Sequence, residues 1–114
     1  MTLNWYATQS THNKTTSDFL NSKTPDHIDW EITCLFYSAL HLVNDYCDKH
    51  QIAPPSDHHE RKEFVKNNLS SSYLSYKKLF DLSIKSRYTV GNRIDPSYLT
   101  IAQNNYVAFK NFLN

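Results

Sequence analysis

At 114 residues the chain makes one domain, and a single Gly beside eight Tyr and six Phe argues against an all-β fold built on tight turns. The formal net charge is +1, and no run of about 18 apolar residues exists that would read as a transmembrane helix. The start, MTLNWYATQS, lacks the charged opening and apolar middle of a signal peptide.

Residues 1–10 read as an irregular arm, with Leu3, Trp5 and Tyr6 available to pack onto the body. A first helix is predicted from about Thr11 to Lys23, on thin apolar content, mainly Phe19 and Leu20. Thr24-Pro25 ends it and opens the central helix of the chain. There Thr24 suits the N-cap, Pro25 the first helical position, and Asp26 and Asp29 the positive end of the dipole. Pro54-Pro55 forbids its continuation.

Within that helix Ile28, Ile32, Leu35, Phe36, Ala39, Leu40, Val43, Tyr46 and Cys47 recur at helical spacing and make one broad apolar face. A second stripe falls opposite: Trp30, Cys34, Tyr37, His41, Asn44 and Asp48. A surface helix would be charged there, so the stripe predicts a helix covered on both sides by other helices, a second subunit or a ligand. Cys34 and Cys47 lie thirteen residues apart on this one helix. That is roughly 20 Å, too far for a disulfide, and two unpaired thiols fit a cytoplasmic protein. No close Cys/His cluster supports a structural metal site, and no cofactor motif is present.

HQIAPPSD (50–57) reads as a loop whose Ser56 or Asp57 caps a short third helix, with Glu60 or Glu63 as capping-box partner. Ser70-Ser71-Ser72 restarts the chain into a fourth helix with the stripe Leu69, Tyr73, Tyr76, Phe80 and Ile84, and Arg87 on the same side. Residues 86–95 hold the single Gly and read as a loop. Asp95-Pro96-Ser97 starts a last helix whose stripe is Tyr98, Ile101, Ala102, Tyr106, Phe109, Phe112 and Leu113. The expectation is an all-α, single-domain (1–114), up-and-down bundle of four to five helices.

Charge is unevenly spread. Residues 61–93 carry eight basic residues against two acids, +6, and include all three arginines; the remainder carries four Lys against nine acids, −5. Such a segment can receive phosphate or RNA, or can form solvated helix faces.

Three groups of residues carry candidate chemistry. His58 and Arg61 share a helix face, a pairing suited to acid–base work on a phosphodiester; the alternative is a capping cluster with exposed imidazoles and an Arg61 ion pair. His41 lies mid-helix between Tyr37 and Asn44, as a catalytic group or a hydrogen-bonded core residue. Arg87, Tyr88 and Arg93 suit holding a nucleotide by phosphate pairing and stacking; alternatively Arg87 closes an ion pair with Asp45 or Asp48.

Pro25-Asp26…Trp30, the block Phe36-Tyr37-Ser38-Ala39-Leu40-His41-Leu42-Val43, His58-x-x-Arg61, Tyr76…Leu79…Leu82-Ser83 and Arg87-Tyr88 together resemble the HEPN (higher eukaryotes and prokaryotes nucleotide-binding) type of small helical protein. The similarity spans roughly residues 13–90. It implies an all-α bundle, a homodimer with its site near the two-fold axis, and association with RNA cleavage, nucleotide binding, toxin–antitoxin pairs and antiviral systems. The partners it implies are RNA or a nucleotide, a second copy of the chain and a protein encoded nearby, without a membrane. The family's ribonucleases carry an Arg, then four to six residues, then a His, yet the last His here is His59. Either His58 and Arg61 with His41 replace that pair, without metal, or this chain binds without cutting. In the first case His58, Arg61 and His41 are catalytic, while Arg87, Tyr88, Arg93 and Tyr37 hold the ligand. A second expectation, from another class, is a non-catalytic interaction module with the Trp30–Asp48 stripe as interface.

Overall fold

The computed structural model describes residues 5–21, 27–88 and 95–113. Five α-helices appear among them, with no strand: α1 (Trp5–Asn21), α2 (Ile28–Lys49), α3 (His58–Asn68), α4 (Tyr73–Tyr88) and α5 (Pro96–Leu113). A 3-10 turn at Ser70–Ser72 joins α3 to α4.

The buried apolar residues form one core, and α2 supplies the largest share of it: Ile28, Ile32, Leu35, Phe36, Ala39, Leu40, Val43 and Cys47. The 3.6-residue period placed these on one face, and burying them is what holds α2 in the middle. Against them pack Tyr76, Leu79 and Leu82 of α4, Leu99, Ala102, Tyr106 and Phe109 of α5, and Val65 of α3. α1 packs along α2, and α4 contacts α2 and α5. Ser10 meets Ser38, and Ser17 meets the carbonyl of Glu31, so α1 and α2 run antiparallel. Tyr76 meets Phe109 and Lys85 meets Tyr98, so α4 and α5 do too.

The first helix corrects one expectation. The arm at 1–10 is helical from Trp5 onward; the expected end of that helix at Lys23 lies outside the described residues. Hydrophobic periodicity missed this because α1 docks through small hydroxyls. Ser10 Oγ donates to the Ser38 carbonyl at 2.8 Å, and Ser38 Oγ donates back to the Ser10 carbonyl at 2.8 Å. That leaves the Tyr106 hydroxyl, 2.8 Å from Ser38 Oγ, as donor to Ser38. Side chains this small let two helix backbones approach closely, and the buried hydroxyls satisfy one another.

α2 ends just before the expected 50–57 loop, and a turn rather than proline closes it. The helix stops at Lys49, and Gln51 takes φ 57°. Gln51 N–H donates to the Asp48 carbonyl at 3.2 Å and Ile52 N–H to the Cys47 carbonyl at 2.8 Å, the two bonds of a Schellman motif. The expected cap at Thr24 lies outside the described residues; α2 begins at Ile28 behind His27. The other two starts follow their sequence signals. Asp57 caps α3 by accepting from Glu60 N–H at 2.8 Å, while Glu60 accepts from the Ser56 N–H and hydroxyl. Asp95 accepts from Ser97 N–H at 2.8 Å, with Pro96 opening α5.

Three stripes differ in part. Leu79 and Leu82 line the core on α4 while Ile84 is only half-buried, so that face is rotated from the expected one. Phe112 is 50% exposed at the end of α5. On α2, Asn44 is buried and Cys34, Tyr37 and His41 are half-buried, but Trp30 and Asp48 at the ends face solvent. The second side of α2 is covered in its middle and open at both ends. Residues 86–88, expected in a loop, complete α4.

Candidate functional site

The polar side of α2 is where the chain's separate candidates meet. Tyr37, His41 and Asn44 follow one another at intervals of four and three, so α2 presents them as one ridge. α3 starts under its Asp57 cap and brings His58 and Arg61, one turn apart, against that ridge. α4 brings Arg87 to it from the far end of the chain.

Tyr37 is the centre. Arg87 Nη1 donates to the Tyr37 hydroxyl at 2.9 Å, and its guanidinium carbon lies 5.5 Å from the Tyr37 ring centroid. Arg87 is steadied on its own helix, where Nε donates to the Ser83 carbonyl at 3.3 Å. The His58 ring lies 6.3 Å from that of Tyr37, 5.7 Å from Phe36 and 5.6 Å from Phe80. Lys62, one turn along α3, holds its ammonium 4.4 Å from the Phe80 ring centroid. Phe80 and Lys62 were not among the candidates read from sequence; Lys62 was visible only as one member of the basic run.

Arg61 takes a deeper position than expected. It is 6% exposed and pairs with no acid among the described residues. Its Nε donates to Asn44 Oδ1 at 3.3 Å and its Nη2 to the Pro55 carbonyl at 3.0 Å, tying the 50–57 loop to α2. The sequence alternative of an Arg61 ion pair is therefore not what the fold uses. Nor does Arg87 pair with Asp45, whose salt-bridge partner is Lys49 at 2.9 Å.

His41 turns away from this group toward α1. Its ring lies 5.8 Å from Trp5, edge-on, and 6.4 Å from Tyr6, nearly parallel. Both residues stood in the segment read as an arm, so this wall of the His41 environment was hidden from sequence reasoning. The structure thus brings together Tyr37, His58 and Arg87, sets Arg61 behind them and gives His41 separate neighbours. Tyr88 ends α4, but its side chain is outside the described parts, as is Arg93.

Electrostatics follow from this packing. Burial first, then the charges of Arg61, Arg87 and Lys62, hold His58 below the ordinary imidazole value, with Asp57 pulling weakly the other way. His58 Nδ1 is buried without a hydrogen-bond partner, so proton exchange with a ligand falls to Nε2. Burial also lowers His41, with Arg61 adding to it. Burial pushes the Tyr76 phenol up, against the opposing pull of the Arg61 charge and of its hydrogen bond. A neutral imidazole, two guanidiniums and a phenol can take an anion and can accept a proton beside it.

Both cysteines are free, and burial pushes each thiol up, which makes neither a ready nucleophile. Among the described residues no three His, Cys, Asp or Glu side chains are grouped to hold a metal ion, and no helix is long and apolar enough to cross a membrane. No family model, no curated protein and no solved structure matches this chain.

Proposed function

We propose that this chain is a HEPN-like helical protein that binds RNA or a nucleotide, with the ligand's phosphate at the Tyr37–His58–Arg87 cluster. The observation that carries this reading is the convergence on Tyr37 of Arg87, 2.9 Å away, and the His58 ring, 6.3 Å away, from helices fifty and twenty-one positions downstream. Guanidinium beside phenol and imidazole suits phosphate pairing with a ring to stack on. The basic α3–α4 segment adds long-range attraction for a polyanion.

If the phosphate held there is an internal diester of RNA, cleavage needs no metal. The ribose 2′-hydroxyl attacks phosphorus, neutral His58 takes its proton, Arg87 and Arg61 offset the phosphoryl charge, and the 5′-oxygen leaves, protonated from water. The setting we propose is a toxin–antitoxin or antiviral system.

Titration of purified protein with single-stranded RNA and with mononucleotides, at about 0.15 M salt, tests the reading. Saturable binding that weakens more than tenfold in Arg87→Ala supports it. Absence of binding to either ligand contradicts it. RNA cleavage in excess chelator that persists in His58→Ala removes His58 from the chemistry.

An interaction module is the second reading, favoured by one observation. Trp30 is 60% exposed near the start of α2. A large ring in water marks a protein contact, here a second copy of the chain or another protein.

A further inference from the structure

Resting on the phosphate-binding reading above, we infer that Trp5, Tyr6 and His41 form a nucleobase subsite, which stacks the base of the nucleotide whose phosphate sits at the Tyr37 cluster.

The subsite is assembled by the contact between α1 and α2. Ser10 and Ser38 each donate to the other's carbonyl at 2.8 Å and fix the two antiparallel helices at that level. Tyr6 lies one turn before Ser10 on α1, and His41 lies one turn beyond Ser38 on α2. The serine pair therefore sets the first turn of α1 against the imidazole. The Tyr6 and His41 rings are 23° from parallel, with centroids 6.4 Å apart. Trp5 stands nearly upright to both, at 80° to Tyr6 and 83° to His41, with centroids 5.4 and 5.8 Å away.

Exposure is the first reason. Neither of these rings stacks on the indole, and Trp5 is 59% exposed. Leaving so large an apolar ring in water forgoes the gain of burying it. Positioned among other rings and still open, the indole is a stacking platform, and every base has a π face to lay on it.

The imidazole is the second. His41 Nδ1 is buried with no hydrogen-bond partner, where buried polar atoms are ordinarily satisfied. With no acceptor for a proton on Nδ1, the N–H that the neutral ring offers a ligand is on Nε2. One such donor beside a stacking ring suits the acceptor edge of a base. Aromatic clusters also take organic cations, but the Arg61 charge bears on His41 and disfavours one.

Position is the third. Tyr37 and His41 are one turn apart on α2, with about 5–6 Å between their β-carbons. Tyr37 meets α3 and α4, whereas His41 meets α1. A nucleotide crossing that ridge places its phosphate on one side and its base on the other, with the sugar between.

The test uses Trp30→Phe, which leaves Trp5 as the one tryptophan of the chain. Its fluorescence is read while adenosine 5′-monophosphate, ribose 5-phosphate or a short single-stranded oligoadenylate is added, with affinities from calorimetry. A ligand that carries a base quenches Trp5 saturably. Ribose 5-phosphate, which has the phosphate without the base, binds about tenfold more weakly and leaves the emission unchanged. Trp5→Ala weakens the quenching ligand about tenfold and leaves ribose 5-phosphate as it was, and Trp5→Phe, which keeps a ring, restores most of the loss. Quenching by the mononucleotide assigns the base of a free nucleotide; quenching confined to the oligoadenylate assigns a base within RNA. Ribose 5-phosphate bound as tightly as the mononucleotide, or ligand bound with Trp5 emission unmoved, overturns the inference. If Arg87→Ala still abolishes that binding, the phosphate reading stands. Emission that shifts with protein concentration and with no ligand assigns the rings to a protein contact and overturns the inference too. No binding of any of the three ligands overturns both.

Discussion

Single residues in this chain sit in environments that set their protonation. His58 and His41 are held below the usual imidazole value of 6.5 by burial and then by Arg61. The unfolded chain takes up protons on both rings near that value, while the folded chain resists until lower pH. The unfolded state therefore binds more protons in the window, and stability rises with pH. This contribution is complete above pH 6.5 and is lost as pH falls toward the depressed folded values. Urea midpoints should drop between pH 8 and pH 5.5, and the drop should shrink in His58→Gln; an unchanged drop contradicts the assignment. Glu31 runs the other way. It is 1% exposed, one carboxylate oxygen lacks a partner, and burial raises its pKa above 4.5. Its ionisation opposes the fold once pH rises past that ordinary value, so Glu31→Gln should melt higher than the parent at pH 7.5. The gap should close by pH 4, and equal melting at both pH values excludes a cost of ionisation.

At the level of elements, what could be read from sequence depended on how each helix is held. α2 was legible because its burial runs through Ile, Leu, Phe and Val at strict helical spacing. The α3 and α5 starts were legible because Asp57 and Asp95 cap by local hydrogen bonds that a short motif encodes. α1 was misread at its start because Ser10 and Ser17 dock it, and a serine carries no hydrophobic signal. The end of α2 was legible from the 50–57 loop, but the turn that makes it was not, because a Schellman turn normally announces itself with Gly, and here Gln51 occupies the left-handed position. A Cβ in that position is strained, so Gln51→Gly should stabilise the protein by about 1 kcal/mol, read as a raised urea midpoint. A midpoint that falls would show that the Gln51 side chain contributes more than its backbone costs. The site residues were legible as types but not as a constellation. Nothing local says that Arg87 reaches Tyr37 fifty positions away, or that Arg61 spends its donors on Asn44 and Pro55 instead of an acid.

Across the whole molecule, α2 is a shared wall. α1 and His41 occupy one side, and α3, α4 and the Tyr37 cluster another, with the core between α2, α4 and α5. The open ends of the polar stripe, Trp30 above all, are the surfaces a second copy would cover. If they pair two chains, the melting temperature should climb with protein concentration and Trp30→Ala should remove that dependence. A melting temperature independent of concentration argues against the dimer. The central claim concerns the other region, where imidazole, phenol and guanidinium converge. Six histidines give it internal controls, because His12 and His50 are exposed on α1 and at the end of α2. Side-chain nitrogen spectra of all six, recorded while adenosine 5′-monophosphate or RNA is added, test the claim most directly. Saturable movement of the His58 resonances, with those of His12 and His50 still, is the expected result; ligand binding that leaves His58 unmoved would contradict it.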